Sequence, residues 1–266
     1  MDSELDWHAA KAALDWQVEA GADEAILDAP VNRYEQPSAP EAVPAAPSMP
    51  APAAAAESPE RDTLDLALSE ARRLAGAAGD LPSLAAAMDA FAHCELKLGA
   101  RNTVFSDGTA SARVMIIGEA PGRDEDLRGK PFVGRAGQLL DRMLDAIGLS
   151  REAETPEKAV YITNVLPWRP PGNRTPDTAE IAMLLPFLER HVMLANPELL
   201  VLMGNTPCQA VLGRAGITRI RGTWAEALGR PVLPMFHPAY LLRQPLAKRE
   251  AWADLLALRA RLDGAG

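Results

Sequence analysis

From about residue 61 to the C-terminus, short continuous apolar runs alternate with longer segments whose apolar residues recur every three or four positions. The runs Val114-Met115-Ile116-Ile117, Val160-Tyr161-Ile162, Leu199-Leu200-Val201-Leu202-Met203 and Val232 to Phe236 read as buried strands, and Pro234 suggests that the last lies at a sheet edge. Helical spacing predicts helices over about 62–77, 81–96, 135–147 and 246–262. The third has an apolar face of Leu139, Leu140, Met143, Leu144 and Ile147. Thr175-Pro176-Asp177 predicts a further helix start, with a hydroxyl at the N-cap and proline in the first turn. Strands alternating with helices imply an α/β domain over 61–266, its mostly parallel sheet sandwiched between helices.

The preceding 60 residues follow a different pattern. Residues 5–28 carry an approximate helical stripe of Leu5, Ala9, Ala12, Leu14 and Trp16, and residues 1–35 form an acidic N-terminal arm. The arm is either weakly ordered and without a partner or a docking helix for another protein. Residues 36–60, opening QPSAPEAVPAAP, read as a disordered Pro/Ala linker.

Charge sharpens this division. The net charge of −9 looks wrong for a chain that binds DNA. Residues 1–60, however, hold 2 basic and 12 acidic side chains, leaving 25 basic and 24 acidic in the rest. The domain is nearly neutral, and Arg123, Arg128, Lys130, Arg135, Arg169 and Arg174 crowd two of its loops. Two cysteines, Cys94 and Cys208, exclude a disulfide framework and suit a reducing cytoplasm. No apolar run reaches membrane-spanning length, so no membrane association is expected.

Candidate chemistry gathers where the strands end. The first predicted strand runs into Gly118-Glu119-Ala120-Pro121-Gly122, the second into Thr163-Asn164 and the fourth into His237-Pro238. In an open parallel sheet the ligand crevice lies beyond the carboxyl ends of the strands. A carboxylate, an amide and an imidazole would therefore converge there. Singly, Glu119 could cap a helix, Asn164 could form a turn and His237 could be a satisfied half-buried histidine; together they point to a site. In Gly129-Lys130-Pro131-Phe132-Val133-Gly134 the ring is either a core anchor or a flat surface for a flat ligand. The loop Arg169 to Arg174 suits phosphate contact or a solvated turn.

The blocks GEAPGRDEDLRGKPFVGRAGQLLDRML, YITNVLPWRPPGNRTP and FHPAYLLR resemble the three signature blocks of the family 4 uracil-DNA glycosylases, over about Asn102 to Leu256. The resemblance implies a three-layer α/β/α sandwich with a short, mostly parallel four-stranded sheet. It also implies a monomeric repair enzyme that hydrolyses the N-glycosidic bond of uracil in DNA. In that assignment Glu119 and His237 are catalytic, Glu119 toward the attacking water and His237 at uracil O2. Phe132 stacks on the flipped base, Asn164 reads its N3 and O4 edge, and Ala120 and Glu125 complete the substrate pocket, Glu125 in the wall that excludes the thymine methyl. Arg169, Arg174, Leu241 and Arg243 contact DNA, with Tyr240-Leu241-Leu242-Arg243 filling or propping the gap left by the flipped nucleotide.

One feature departs from the family, whose members typically hold a four-iron four-sulfur cluster on four cysteines. Only Cys94 remains, while Phe91, Trp168 and Leu184 stand at the other three positions. Clusters need thiolates, so no cluster and no metal is expected; a small apolar plug would take its place. The alternative function is a non-catalytic protein that binds uracil or abasic sites in DNA and recruits partners through its N-terminal arm. A nucleotide-binding protein is disfavoured because there is no GxxxxGK.

Overall fold

The computed structural model describes residues 59–264. The predicted arm, and all of the predicted linker before Pro59, lie outside the described residues. Helix α1 (Pro59–Ala77) opens the domain, followed by α2 (Leu81–Ala90) and the short α3 (Leu96–Gly99). The helix expected over 81–96 thus stops early. The chain leaves it at Phe91 (ψ 123°), whose fully buried ring packs edge-on against Phe187 at 5.4 Å.

The remaining elements are β1 (Asp107–Gly108), β2 (Val114–Gly118), α4 (Arg123–Arg128), α5 (Arg135–Asp145), β3 (Val160–Asn164), α6 (Thr178–Ala195) and β4 (Leu199–Met203). They continue with α7 (Asn205–Leu212), α8 (Ile217–Ile220), β5 (Ala225–Ala227), β6 (Arg230–Met235), α9 (Pro238–Arg243) and α10 (Lys248–Leu262). The sheet has six strands in the order β1-β3-β2-β4-β6-β5, not four. The expected four form its parallel centre, and β1 and β5 add antiparallel edges of two and three residues. Such short edges carry no apolar run by which they could be recognised. Leu228 and Gly229 join β5 to β6, both at positive φ (52° and 69°), the backbone that a tight two-residue hairpin requires.

Alternate residues of the central strands face opposite layers. Met115, Ile117, Tyr161, Leu200 and Leu202 pack in one core with Ala71, Leu84 and Leu184 from α1, α2 and α6. Val114, Ile116, Ile162, Val201 and Leu233 pack in the other with Leu140 and Leu144 from α5 and Leu255 and Leu258 from α10. Burial on both faces makes these strands continuous apolar runs, and the result is the three-layer sandwich.

Two local expectations need correction. Pro234 does not mark an edge strand, because β6 pairs with β4 on one side and β5 on the other. Proline is accommodated because β5 pairs only as far as Val232, and at Pro234 a loop takes over, with Gly222 N–H donating to the Pro234 carbonyl (2.9 Å). Helix α6 is capped by Asp177 and not by Thr175. The Asp177 side chain accepts from Glu180 N–H (2.7 Å), and Glu180 accepts from Asp177 N–H (2.9 Å), a reciprocal capping box. Among the described residues no helix is long and apolar enough to cross a membrane. Asp177→Ala is expected to lower the unfolding free energy by about 0.5–2 kcal/mol, measured as a lower urea midpoint with unchanged slope.

Candidate active site

A cavity of about 630 Å³ opens at the carboxyl ends of the parallel strands. Glu119, Ala120, Glu125, Phe132, Asn164 and His237 all line it. The parallel ladder sets their spacing. Gly118 lies beside Asn164, and the pairing continues past the strand ends, with Val165 N–H donating to Gly118 O (2.9 Å) and Leu166 N–H to Glu119 O (3.0 Å). Asn164 is 7 % exposed, and its amide has no hydrogen-bond partner among the described residues. Both its donor and its acceptor are available to a ligand.

Phe132 is both wall and core. It is 5 % exposed, packs with Leu140 and Ile162, and adopts φ 53°, the left-handed region. Its ring stacks on the His237 imidazole at 5.3 Å between centroids. Two glycines permit the approach. A Cβ on Gly118 would lie 2.5 Å from the Phe132 ring, and one on Gly137 would lie 1.7 Å from the Phe132 carbonyl oxygen. Glu125, in the first turn of α4, accepts from both Val133 N–H and Gly134 N–H (2.9 Å each) and so pins the segment that follows the ring. Neighbouring Asp126 is buried and structural, accepting from Arg101 and Asn102 N–H.

His237 caps α9, its Nδ1 accepting from Ala239 N–H (3.1 Å). That bond assigns the ring proton to Nε2. Burial, reinforced by the Arg243 charge and opposed by Glu125, lowers the His237 pKa to about 4. The ring is therefore a neutral donor at physiological pH. Glu119 accepts a short hydrogen bond from the Thr206 hydroxyl at Oε2. Thr206, 5 % exposed in the first turn of α7, had no place in the expectations, although it follows β4 at the same edge as the other groups. Gly118, Gly137 and Thr206 could have been found by asking what every strand end presents and what lets it approach.

The expected DNA contacts separate. Arg243 is exposed and lines the cavity mouth, as does Tyr240. Arg174 also lines it, but its guanidinium is held by both Glu180 oxygens (2.9 and 2.6 Å), which offsets its charge. Arg169 stands off the cavity, bonded to Asn173 (2.8 Å). Leu241 does not stand at the surface. It is 1 % exposed and packed with Leu139, Phe236 and Ala251, because α9 turns it inward.

Phe91, Cys94, Trp168 and Leu184, each at most 1 % exposed, belong to one apolar core. The Trp168 indole donates to Thr103 Oγ1 (3.0 Å), and burial pushes the Cys94 thiol up to about 11. Phenyl, indole and isobutyl groups beside one protonated thiol do not fit an iron–sulfur cluster. Among the described residues no group of three His, Cys, Asp or Glu side chains could hold a metal.

With this geometry, the family profile described as the Uracil DNA glycosylase superfamily matches residues 105–256. The chain belongs to that superfamily. It is 41 % identical over 153 residues to the Type-4 uracil-DNA glycosylase of Thermotoga maritima, covering 56 % of this chain and 77 % of that protein. The Type-4 uracil-DNA glycosylase of Archaeoglobus fulgidus is 38 % identical over 172 residues, covering 60 % and 82 %. A DNA polymerase of Bacillus phage SP01 is also similar, 30 % identical over 157 residues that make up 59 % of this chain and 16 % of the polymerase.

The low pKa of His237 has a measurable sign. Below about pH 6.5 the unfolded chain protonates this histidine while the folded chain refuses the proton until about pH 4. His191, pushed down to about 3 by burial, acts in the same direction. Stability is expected to fall as pH drops through this window, and the His237 imidazole resonances should show no titration near pH 6.5.

Proposed function

We propose that the protein is a DNA-repair uracil-DNA glycosylase, hydrolysing the N-glycosidic bond of uracil to leave an abasic site. The observation that carries this is the meeting of an unpartnered Asn164 amide, an Nε2–H on neutral His237 and the Phe132 ring in one cavity. A base must leave the stack before such groups can reach it, at a cost of a few kcal/mol. Stacking on Phe132 returns about 1–3 kcal/mol of that. Asn164 donates to O4 and accepts from N3–H. Cytosine, which offers the reverse order, leaves buried polar atoms mismatched at about 1–3 kcal/mol each.

Breaking the C1′–N1 bond moves negative charge onto the departing base and positive charge onto the sugar. His237 donates from Nε2 to uracil O2, where the negative charge develops, and its low pKa lets it do so without an added positive charge. Thr206 holds one oxygen of Glu119, leaving the other to orient the attacking water beside the cationic sugar. Ala120 lines the pocket, and Glu125 holds the wall against the thymine methyl while pinning the aromatic loop. Arg243 meets a phosphate at the mouth, and Arg169 and Arg174 take secondary parts in DNA contact.

This enzyme works without an iron–sulfur cluster, an assignment supported by the three apolar side chains at the family's ligand positions. The enzyme acts as a monomer in this reading, and the two buried thiols suit the cytoplasm.

Incubation with a uracil-containing oligonucleotide is expected to yield an alkali-labile site. Asn164→Ala and His237→Ala should each lower the excision rate by about 10²-fold or more; an intact oligonucleotide with the unmodified protein would refute the enzyme assignment. The purified protein should be colourless and contain no stoichiometric iron, by metal analysis.

A further inference from the structure

Phe132 holds a backbone conformation that a residue with a Cβ adopts only at an energetic cost, at φ 53°. Something must keep it there. Glu125 binds the amides of Val133 and Gly134 on the far side of the ring residue. The near side is held by Arg151. Its Nη1 donates to the Pro131 carbonyl (2.9 Å) and its Nη2 to the Phe132 carbonyl (2.9 Å). The same guanidinium meets Asp141 through Nε (2.8 Å) and Asp107 through Nη1 (3.1 Å), and Lys130 meets Asp107 at 3.0 Å. Burial pushes the Asp107 carboxyl up, but the hydrogen bonds from Lys130 and Arg151 outweigh it and hold the group below its ordinary value. The Arg151 side chain is only 10 % exposed. The residue before it is tied to the root of β3, where Ser150 N–H donates to Lys158 O (2.8 Å) and Val160 N–H to Ser150 O (3.2 Å).

We propose that Arg151 is a positioning residue for the base-stacking ring, clamping the Pro131 and Phe132 carbonyls so that Phe132 stays in its left-handed conformation and faces the cavity. The role needs a planar fork. Two carbonyls and two carboxylates surround the group in different directions, and an ammonium on a flexible stem cannot meet all four in one geometry. Without the fork, two buried carbonyls lose their partners and the loop relaxes toward negative φ, turning the ring from the position that the cavity presents. Arg151 is absent from the cavity lining; it acts on the site through Phe132. The inference rests on Phe132 being the ring that stacks on uracil.

A double-mutant cycle tests it. Steady-state excision from a uracil-containing oligonucleotide is measured for the unmodified protein, Phe132→Ala, Arg151→Gln, Arg151→Lys and Phe132→Ala/Arg151→Gln, with circular dichroism melting to verify folding. Arg151→Gln should lose about tenfold in kcat/KM, a share of what loss of a stacked ring costs, and in the same parameter, KM or kcat, that Phe132→Ala affects. Arg151→Lys should fall between Gln and Arg. In the Phe132→Ala background, Arg151→Gln should cost less than about twofold, since the partner through which it acts is gone. Equal losses with and without the ring, or a fully active Arg151→Gln, overturn the role of Arg151 while leaving the stacking assignment intact. A fully active Phe132→Ala overturns the stacking assignment and the clamp with it. If Arg151→Gln does not fold, Arg151→Lys taken through the same cycle decides by the same criterion.

Discussion

At Gly118 the end of β2, the end of β3 and the loop before α5 approach one another more closely than any side chain would allow. A Cβ there would lie 2.4 Å from Asn164 Oδ1 and 2.5 Å from the Phe132 ring. The bare backbone lets an amide and an aromatic ring, brought from different parts of the chain, share one wall of the cavity. Because the Gly118 and Asn164 positions are locked by parallel pairing that continues to Glu119, the amide and the carboxylate cannot drift independently.

Around that contact the protein spends its charged groups mostly on geometry. Glu125 holds two backbone amides, Glu180 caps a helix while tying down Arg174, and Asp126 anchors the segment before β1. His237 is kept neutral by burial and oriented by one backbone bond. The groups at the cavity with spare hydrogen-bonding capacity include the Asn164 amide, the His237 Nε2–H, one oxygen of Glu119 and Arg243.

The layers and the strand ends were legible in the amino-acid sequence because burial on both faces writes a strand as an unbroken apolar run, and because the residue after each run must sit at the crevice. Glu119, Asn164 and His237 follow from that rule alone. The two edge strands were not legible, being too short to carry a pattern, and Pro234 misled because a loop replaces the edge strand one step before it. Leu241 was assigned outward from its place in a signature block, yet the turn of α9 buries it. Thr206 and Arg151 act through partners distant in sequence, and no local pattern announces such a contact. Phe91, Trp168 and Leu184 were legible as apolar residues, and their burial in one core explains how the segments they belong to stay together.

The close approach at Gly118 builds the site, and Gly118→Ala tests it by crowding Asn164 and Phe132 without removing either side chain. The atoms in the way are side-chain ends, so the fold should survive while Asn164 and Phe132 shift. Single-turnover uracil excision by Gly118→Ala, in protein verified as folded, is expected to be about 10²-fold slower, the cost of misplacing reacting groups by about an ångström. Excision at the unmodified rate would contradict the claim that this contact builds the site.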